Sequence, residues 1–371
     1  MILVGIFSSC VLSFFIVIFS HKIRALMRER ADTEAVQASH EGDPLRLGGF
    51  AIMGSLIVML GYTALSFPTG MASLILISAI PVLLAGALED SGRAVSAKMR
   101  LLAAGVSSVF AIALLGFWIE SIDYAYIDYL LAFPVVAILV TILFTSGFCH
   151  AFNLVDGMNG LAALIGMVAA AGLGFIAFSN ASPDIGRFAF ALFAAIAGFA
   201  LLNWPFGRLF LGDAGAYGIG HILAWTAITL SVTRPEIAVP ALVLVLFWPL
   251  ADTLHTILRR LLRRKEVFAP DKMHLHQKVR RGLEIIFFGS RKRKLTNPLT
   301  TVVLMPLIVA PALTGMWLAQ EPTLAWIALL VFFTLFSATH VAAIYISRKL
   351  RSPQSAYPKY QGIGAPIAEQ Y

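Results

Sequence analysis

The chain has 371 residues, of which 59% are hydrophobic and 13% charged, about half the roughly 25% charge of a soluble domain. That composition excludes an ordinary soluble protein. With so few charges, the placement of the formal +8 says more than its size, and nothing in it points to nucleic acid. Cys10 and Cys149 lie far apart in apolar runs, as small packing residues do, with no sign of a disulfide framework.

Apolar stretches bounded by charge, Pro or Gly read as transmembrane helices at about 20 residues per span. They fall at 2–19, 48–65, 71–88, 101–118, 130–148, 161–178, 188–202, 216–231, 239–257, 299–317 and 324–346. The fold expected is therefore an all-α, polytopic membrane protein of about eleven helices. The first stretch has its basic residues after the apolar run, the reverse of a cleaved signal peptide, and reads as a retained span. Of the 28 Lys and Arg residues, 26 fall in loops on one side, and only Arg187 and Arg234 fall on the other. By the positive-inside rule this puts the N-terminus outside and the C-terminus in the cytoplasm. Residues 1–350 form one domain with a long cytoplasmic loop at about 258–298, and 351–371 read as a cytoplasmic, disordered tail. The outer loops are short and lack a recognisable polar constellation, so the chemistry is expected on the cytoplasmic face.

Five segments on that face carry unusual polar residues. Arg46, followed by Gly48 and Gly49, suits an anionic group approached closely by backbone; a basic residue snorkelling from a helix end is the plainer reading. Glu89 and Asp90 lie at a membrane boundary on the positive side and ask for a counter-ion or a metal, with Lys98 ahead of the next span. Adjacent carboxylates suit Mg2+, or else simply pair with Arg93. Asn153, Asp156 and Asn159 lie three apart, aligned if helical, while Asp156-Gly157 and Asn159-Gly160 are turn dipeptides. After Asn203, Asp213 lies between Gly212 and Gly215 at a helix start, where N-terminal amides would face a phosphate and the carboxylate would hold its metal. An Asp N-cap would look the same. Phe210 could stack on a base. Asp252 is an ionisable residue inside the ninth apolar stretch. His274 and His276 alternate, so an extended segment would point both one way. The arginines around them suit a lipid-headgroup or phosphate-attracting surface better than a catalytic set.

In order and loop placement this constellation resembles the polyprenyl-phosphate N-acetylhexosamine-1-phosphate transferase superfamily, glycosyltransferase family 4. The resemblance runs from about Arg46 to His276. It rests on Arg46-x-Gly48-Gly49, on Glu89-Asp90 with Lys98, on Asn153-x-x-Asp156-Gly157-x-Asn159-Gly160 and on Asn203 with Phe210-x-Gly212-Asp213-x-Gly215. The histidine loop completes it and is closer to the undecaprenyl-phosphate GlcNAc-1-phosphate transferase type than to the phospho-MurNAc-pentapeptide translocase. Three departures stand out: Glu89 where the family commonly has Asp, Gln277 where a third histidine is common, and Pro205 one residue early.

The resemblance implies a phosphotransferase of the bacterial inner membrane. It would move a sugar-1-phosphate, N-acetylglucosamine-1-phosphate or a related N-acetylhexosamine, from a UDP-sugar to undecaprenyl phosphate, releasing UMP and starting a lipid-linked cell-envelope polysaccharide. It implies Mg2+, with Mn2+ as an alternative, membrane lipid as surroundings, and leaves a homodimer open. On this reading Asp213 holds the metal, and Asp90, Glu89 and Asp156 form the catalytic set. Arg46, Lys98, Asn153, Asn159, Asn203, Phe210, His274 and His276 bind substrate. The rivals are donor use like that of the phospho-MurNAc-pentapeptide transferase, a CDP-alcohol phosphatidyltransferase, a secondary transporter and a non-catalytic scaffold. The third would place its polar groups near the bilayer midplane.

Overall fold

A computed structural model gives the architecture, and it describes residues 1–26, 45–64, 70–264, 266, 273–288 and 292–349. The expected tail, 351–371, lies outside the described residues.

The regular elements of the described chain are helices, beside a single bridge between Leu45 and Leu209. Its helices are α1 (Ile2–Ile18), α2 (Ser20–Leu26), α3 (Gly48–Ala64), α4 (Gly70–Ser78), α5 (Ile80–Asp90), α6 (Ala97–Leu115), α7 (Ala125–Leu131) and α8 (Pro134–Leu154). They continue as α9 (Leu161–Ser179), α10 (Pro183–Asn203), α11 (Gly212–Thr233), α12 (Val239–Val245), α13 (Phe247–Leu262), α14 (Leu275–Leu283), α15 (Arg293–Trp317) and α16 (Pro322–Lys349). In lipid a helix satisfies its own backbone groups, and local signals set the ends. The Ser96 hydroxyl accepts the Met99 N–H at 3.3 Å to start α6, which stops at the left-handed Gly116. Pro134 and Pro183 open α8 and α10, where a missing N–H is no loss.

Among the described residues, seven helices are long and apolar enough to cross a membrane, or nine if two bent pairs each count as one span. The bent pairs differ from the unbroken spans the sequence suggests: α4 and α5 meet at 45°, and α12 and α13 at 87°. Two further apolar helices, α1 and α3, have 17 residues each. The protein is thus a polytopic membrane protein with fewer straight spans than the eleven apolar stretches imply. Periodicity marks apolar length but is blind to a break such as the one at Leu246. The long loop is also partly helical, because α13 runs on to Leu262 and α14 and the start of α15 lie within it.

Helix α11 is the axis of the bundle. Its apolar window is 89% buried, against 22% for α6 and 17% for α16, so α6 and α16 lie on the outside of the bundle. Tyr217 and Trp225 on α11 and Phe148 and Phe152 on α8 are among the largest fully buried side chains. On the opposite side of the chain from the motifs, the loop before α7 is more organised than expected. Asp128 accepts the Ile122 N–H at 2.7 Å, and Asp123 accepts the Val239 N–H at 2.7 Å, capping α12.

Candidate active site at the start of α11

The segment before α3 and the segment before α11 lie side by side. The Phe210 N–H donates to the Leu45 carbonyl at 2.9 Å, while Gly48 and Gly49 donate to the carbonyls of Phe210 and Leu211, both at 2.8 Å. A side chain on Gly49 would sit 2.3 Å from the Gly215 Cα, and one on Gly212, whose φ is +77°, would sit 2.1 Å from the Arg46 carbonyl oxygen. These glycines therefore bring chain against chain, and the space expected for an anion beside Gly48 and Gly49 is filled by protein. Phe210 is 4% exposed. The ring expected to stack on a base is thus packed within the protein.

The first N–H groups of α11 are taken by carboxylates from other elements. Asp156, in the α8–α9 turn, is hydrogen-bonded to the Gly212 backbone. Asp90, the last residue of α5 and 5% exposed, accepts the Asp213 and Ala214 N–H groups, each at 2.9 Å. Two acidic side chains thus complement the positive end of the helix. The N-terminal amides that seemed free to face a phosphate are already occupied. Burial pushes the Asp156 carboxyl up to about 6, against the opposing effects of nearby Arg46 and the Gly212 hydrogen bond. Neighbouring Glu89 accepts the Val95 N–H at 2.6 Å and holds the turn between α5 and α6.

The Asp213 carboxylate is ion-paired with Arg100 of α6. The Arg100 guanidinium also lies 5.9 Å from the centre of the Tyr217 ring, and the Tyr217 hydroxyl shares a 2.7 Å hydrogen bond with His150 Nδ1. Sequence reasoning gave none of Arg100, Tyr217 or His150 a role. The available signal was the i, i+4 spacing of Asp213 and Tyr217, which puts both on one face of α11. Lys98 is exposed in the first turn of α6.

Asparagines join the remaining loops. Buried Asn203 accepts the Gly160 N–H at 2.7 Å and donates to the Leu209 carbonyl at 2.8 Å. Asn159 donates from its backbone to Asn297 Oδ1 at 2.8 Å and from its side chain to the Pro205 carbonyl at 2.9 Å, while Thr301 donates to its carbonyl at 2.7 Å. The Asn159 Oδ1 is buried with no hydrogen-bond partner among the described residues. Asn153 lies half-buried in the last turn of α8. Asn297 and Thr301 at the start of α15 enter the cluster without any sequence motif.

The histidines form a second cluster. Asp252 accepts the His274 Nδ1–H at 2.7 Å and the Leu275 N–H at 3.3 Å, so a carboxylate on α13 caps α14. The rings of His274 and His276 stack with centres 5.6 Å apart, and the two residues are 2% and 1% exposed. Burial lowers the His276 pKa to about 4. His340 on α16 faces the same carboxylate, its Nε2 lying 3.7 Å from Asp252 Oδ1. Both motif histidines thus pack inside the protein, not on an open face.

A model of the glycosyl transferase family 4 domain matches residues 71–231, a range that includes Asp90, Asp156 and Asp213. Over that range the chain is similar to this family. It is 28% identical over 238 residues to a probable undecaprenyl-phosphate N-acetylglucosaminyl 1-phosphate transferase of Bacillus subtilis (strain 168), covering 63% of this chain and 65% of that protein. It is 27% identical over 248 residues to the undecaprenyl-phosphate alpha-N-acetylglucosaminyl 1-phosphate transferase of Salmonella typhi, covering 66% and 67%. With the protein of that description from Escherichia coli (strain K12) it shares 28% over 252 residues, covering 66% and 67%. The matches span 65–67% of these family members' own lengths.

Divalent-metal dependence is typical of family 4 members. Among the described residues no group of three or more His, Cys, Asp or Glu side chains is arranged to hold a metal ion. Mg2+, however, is commonly held by one or two carboxylates with the substrate phosphates completing its shell. Asp156 bonds to Gly212, the residue before Asp213, so two carboxylate-bearing residues approach the start of α11.

Proposed function

We propose that the protein transfers an N-acetylhexosamine-1-phosphate from a UDP-sugar to undecaprenyl phosphate at the cytoplasmic face of the bacterial inner membrane. One observation carries this reading. Asp90, Asp156 and Asp213 converge on the first turn of α11 with Arg46 and Arg100 beside them, a charge set suited to anionic phosphates. The names of the family members above support it. On this reading α1 and α3 are spans too, giving eleven with the N-terminus outside.

An oxygen of the acceptor phosphate attacks the sugar-bearing phosphorus of the donor. The bond from that phosphorus to the bridging oxygen breaks, and UMP leaves with the bridging oxygen. A phosphate monoester has its second pKa near about 6, so the acceptor is largely dianionic at neutral pH and needs little help from a base. Asp90, with both oxygens on backbone N–H groups, then sets the position of α11 and so of Asp213. Asp213 and Asp156 would hold Mg2+, or Mn2+, which spreads the charge of the transferring phosphoryl group. Arg46, Arg100 and Lys98 offset donor and acceptor charge, with Arg100 turning from Asp213 to the phosphates. Asn153 contacts donor polar groups, whereas Asn159 and Asn203 fix the loops beneath them. Glu89, His274 and His276 act through the segments they hold.

The test is UMP release by purified protein with undecaprenyl phosphate, Mg2+ and a panel of UDP-N-acetylhexosamines. Release requiring lipid, metal and Asp213 supports the reading. Undiminished turnover by Asp213→Asn, or no release from any donor by folded protein, overturns it.

A further inference from the structure

Helix α13 leaves α12 at 87°, so it runs across the direction of its own span. Its exposed large apolar side chains are Leu254, Leu258, Leu261 and Leu262, the last 86% exposed. Their spacing of i, i+4, i+7 and i+8 makes a single stripe. The opposite face, with Asp252, Thr256 and Arg260, is buried against protein. Arg263 and Arg264 are exposed where the stripe ends, and Arg259 is partly exposed beside it. Water is poor surroundings for four exposed leucines on one face. A fully embedded helix would in turn leave the arginines in hydrocarbon. A helix lying in the leaflet surface satisfies both.

We propose that α13 is an interfacial helix seated on anionic phospholipid, its leucine stripe among the acyl chains and Arg259, Arg263 and Arg264 on the headgroup phosphates. Charge complementarity selects the occupant, because clustered cations favour a net-negative leaflet over a zwitterionic one. The seat reaches the motif residues through Asp252. That carboxylate, on the protein side of α13, holds His274 and the Leu275 N–H, so the depth of α13 sets the position of α14. This coupling, unlike the seat itself, rests on the transferase reading.

The experiment uses full-length protein in vesicles of phosphatidylglycerol mixed with phosphatidylcholine, and of phosphatidylcholine alone. A spin label goes at Leu258→Cys, and separately at Leu262→Cys, in a Cys10→Ser background; Cys149 is fully buried. At both positions the label is expected to be relaxed more by oxygen than by a water-soluble nickel chelate. The reverse at both would put α13 in water and overturn the proposal. Selectivity for spin-labelled phosphatidylglycerol over phosphatidylcholine should fall at least about fivefold in the combined Arg259→Gln, Arg263→Gln and Arg264→Gln variant, the effect of losing one headgroup cation. Unchanged selectivity overturns the anionic seat, as does a preference confined to undecaprenyl phosphate. UMP release should fall without phosphatidylglycerol in the parent and not in the arginine variant. Absence of release in every vesicle, with label depth and selectivity as expected, supports the seat and overturns the transferase reading instead.

Discussion

Asp90 and Asp213 meet through carboxylate and backbone: the Asp90 side chain accepts the Asp213 N–H at 2.9 Å and the Ala214 N–H at 2.9 Å. This makes Asp90 a cap supplied to α11 by another helix. Asp90→Ala is expected to lower stability by about 1–2 kcal/mol and to abolish transfer, whereas Asp90→Asn, which keeps one acceptor, loses less of each. Thermal unfolding in detergent beside UMP release checks this. Lost transfer with unchanged unfolding in both variants would mean that Asp90 acts directly on substrate.

Asp156 gives a pH dependence with a definite sign. Its carboxyl is raised from 3.8 to about 6 by burial, so between those values the folded state holds the proton more tightly than the unfolded state. This contribution to stability is present at low pH and is lost as pH rises through about 6. Asp156→Asn should therefore raise the melting temperature at pH 8 and not at pH 4, while transfer is lost. In the parent, transfer should fall as pH drops below about 6, because the ionised carboxylate is the form that holds a cation. A melting temperature shifted equally at both pH values would contradict this.

Asn203 ties two loops with one amide. Asn203→Leu leaves the Gly160 N–H and the Leu209 carbonyl without their buried partner, at about 2–3 kcal/mol. The melting temperature should fall, and the KM for the UDP-sugar should rise as Asn159 shifts with Gly160. A change in kcat alone would mean that the amide touches the reacting groups.

The glycines divide into two kinds. Gly49→Ala puts a methyl group 2.3 Å from the Gly215 Cα, and about 3 kcal/mol of stability should go with it. Gly147 lies inside α8 with nothing within 4 Å of an added Cβ, so Gly147→Ala should be neutral or stabilise by up to about 1 kcal/mol. Unfolding curves of the two variants make the comparison.

The membrane class was legible because it rests on a strong local signal, the long apolar runs. The site was legible in membership more than in contact. Asp90, Asp156 and Asp213 do gather at one turn, but spacing alone could not say that the first two bind backbone donors, because hydrogen bonds to backbone leave no residue-type signature. Arg100 looks like one more charge of a basic loop until α6 and α11 pack. Asn297 and Thr301 reach Asn159 across 138 and 142 residues, a separation no motif spans. The break at Leu246 sits inside an unbroken apolar run, so nothing in hydropathy betrays it.

The joint between α5 and α11 also bears on how the protein is made. Asp90 is synthesised and inserted well before the residues whose N–H groups it accepts. Until α11 enters the bundle, that carboxylate has no helix end to hold. Gly49 likewise waits for Gly215. The turn that Asp90 caps therefore does not exist in any shorter nascent chain. It requires α11, whose apolar window is 89% buried, and a chain stalled before α11 presents the membrane with an acidic residue still waiting for its partner.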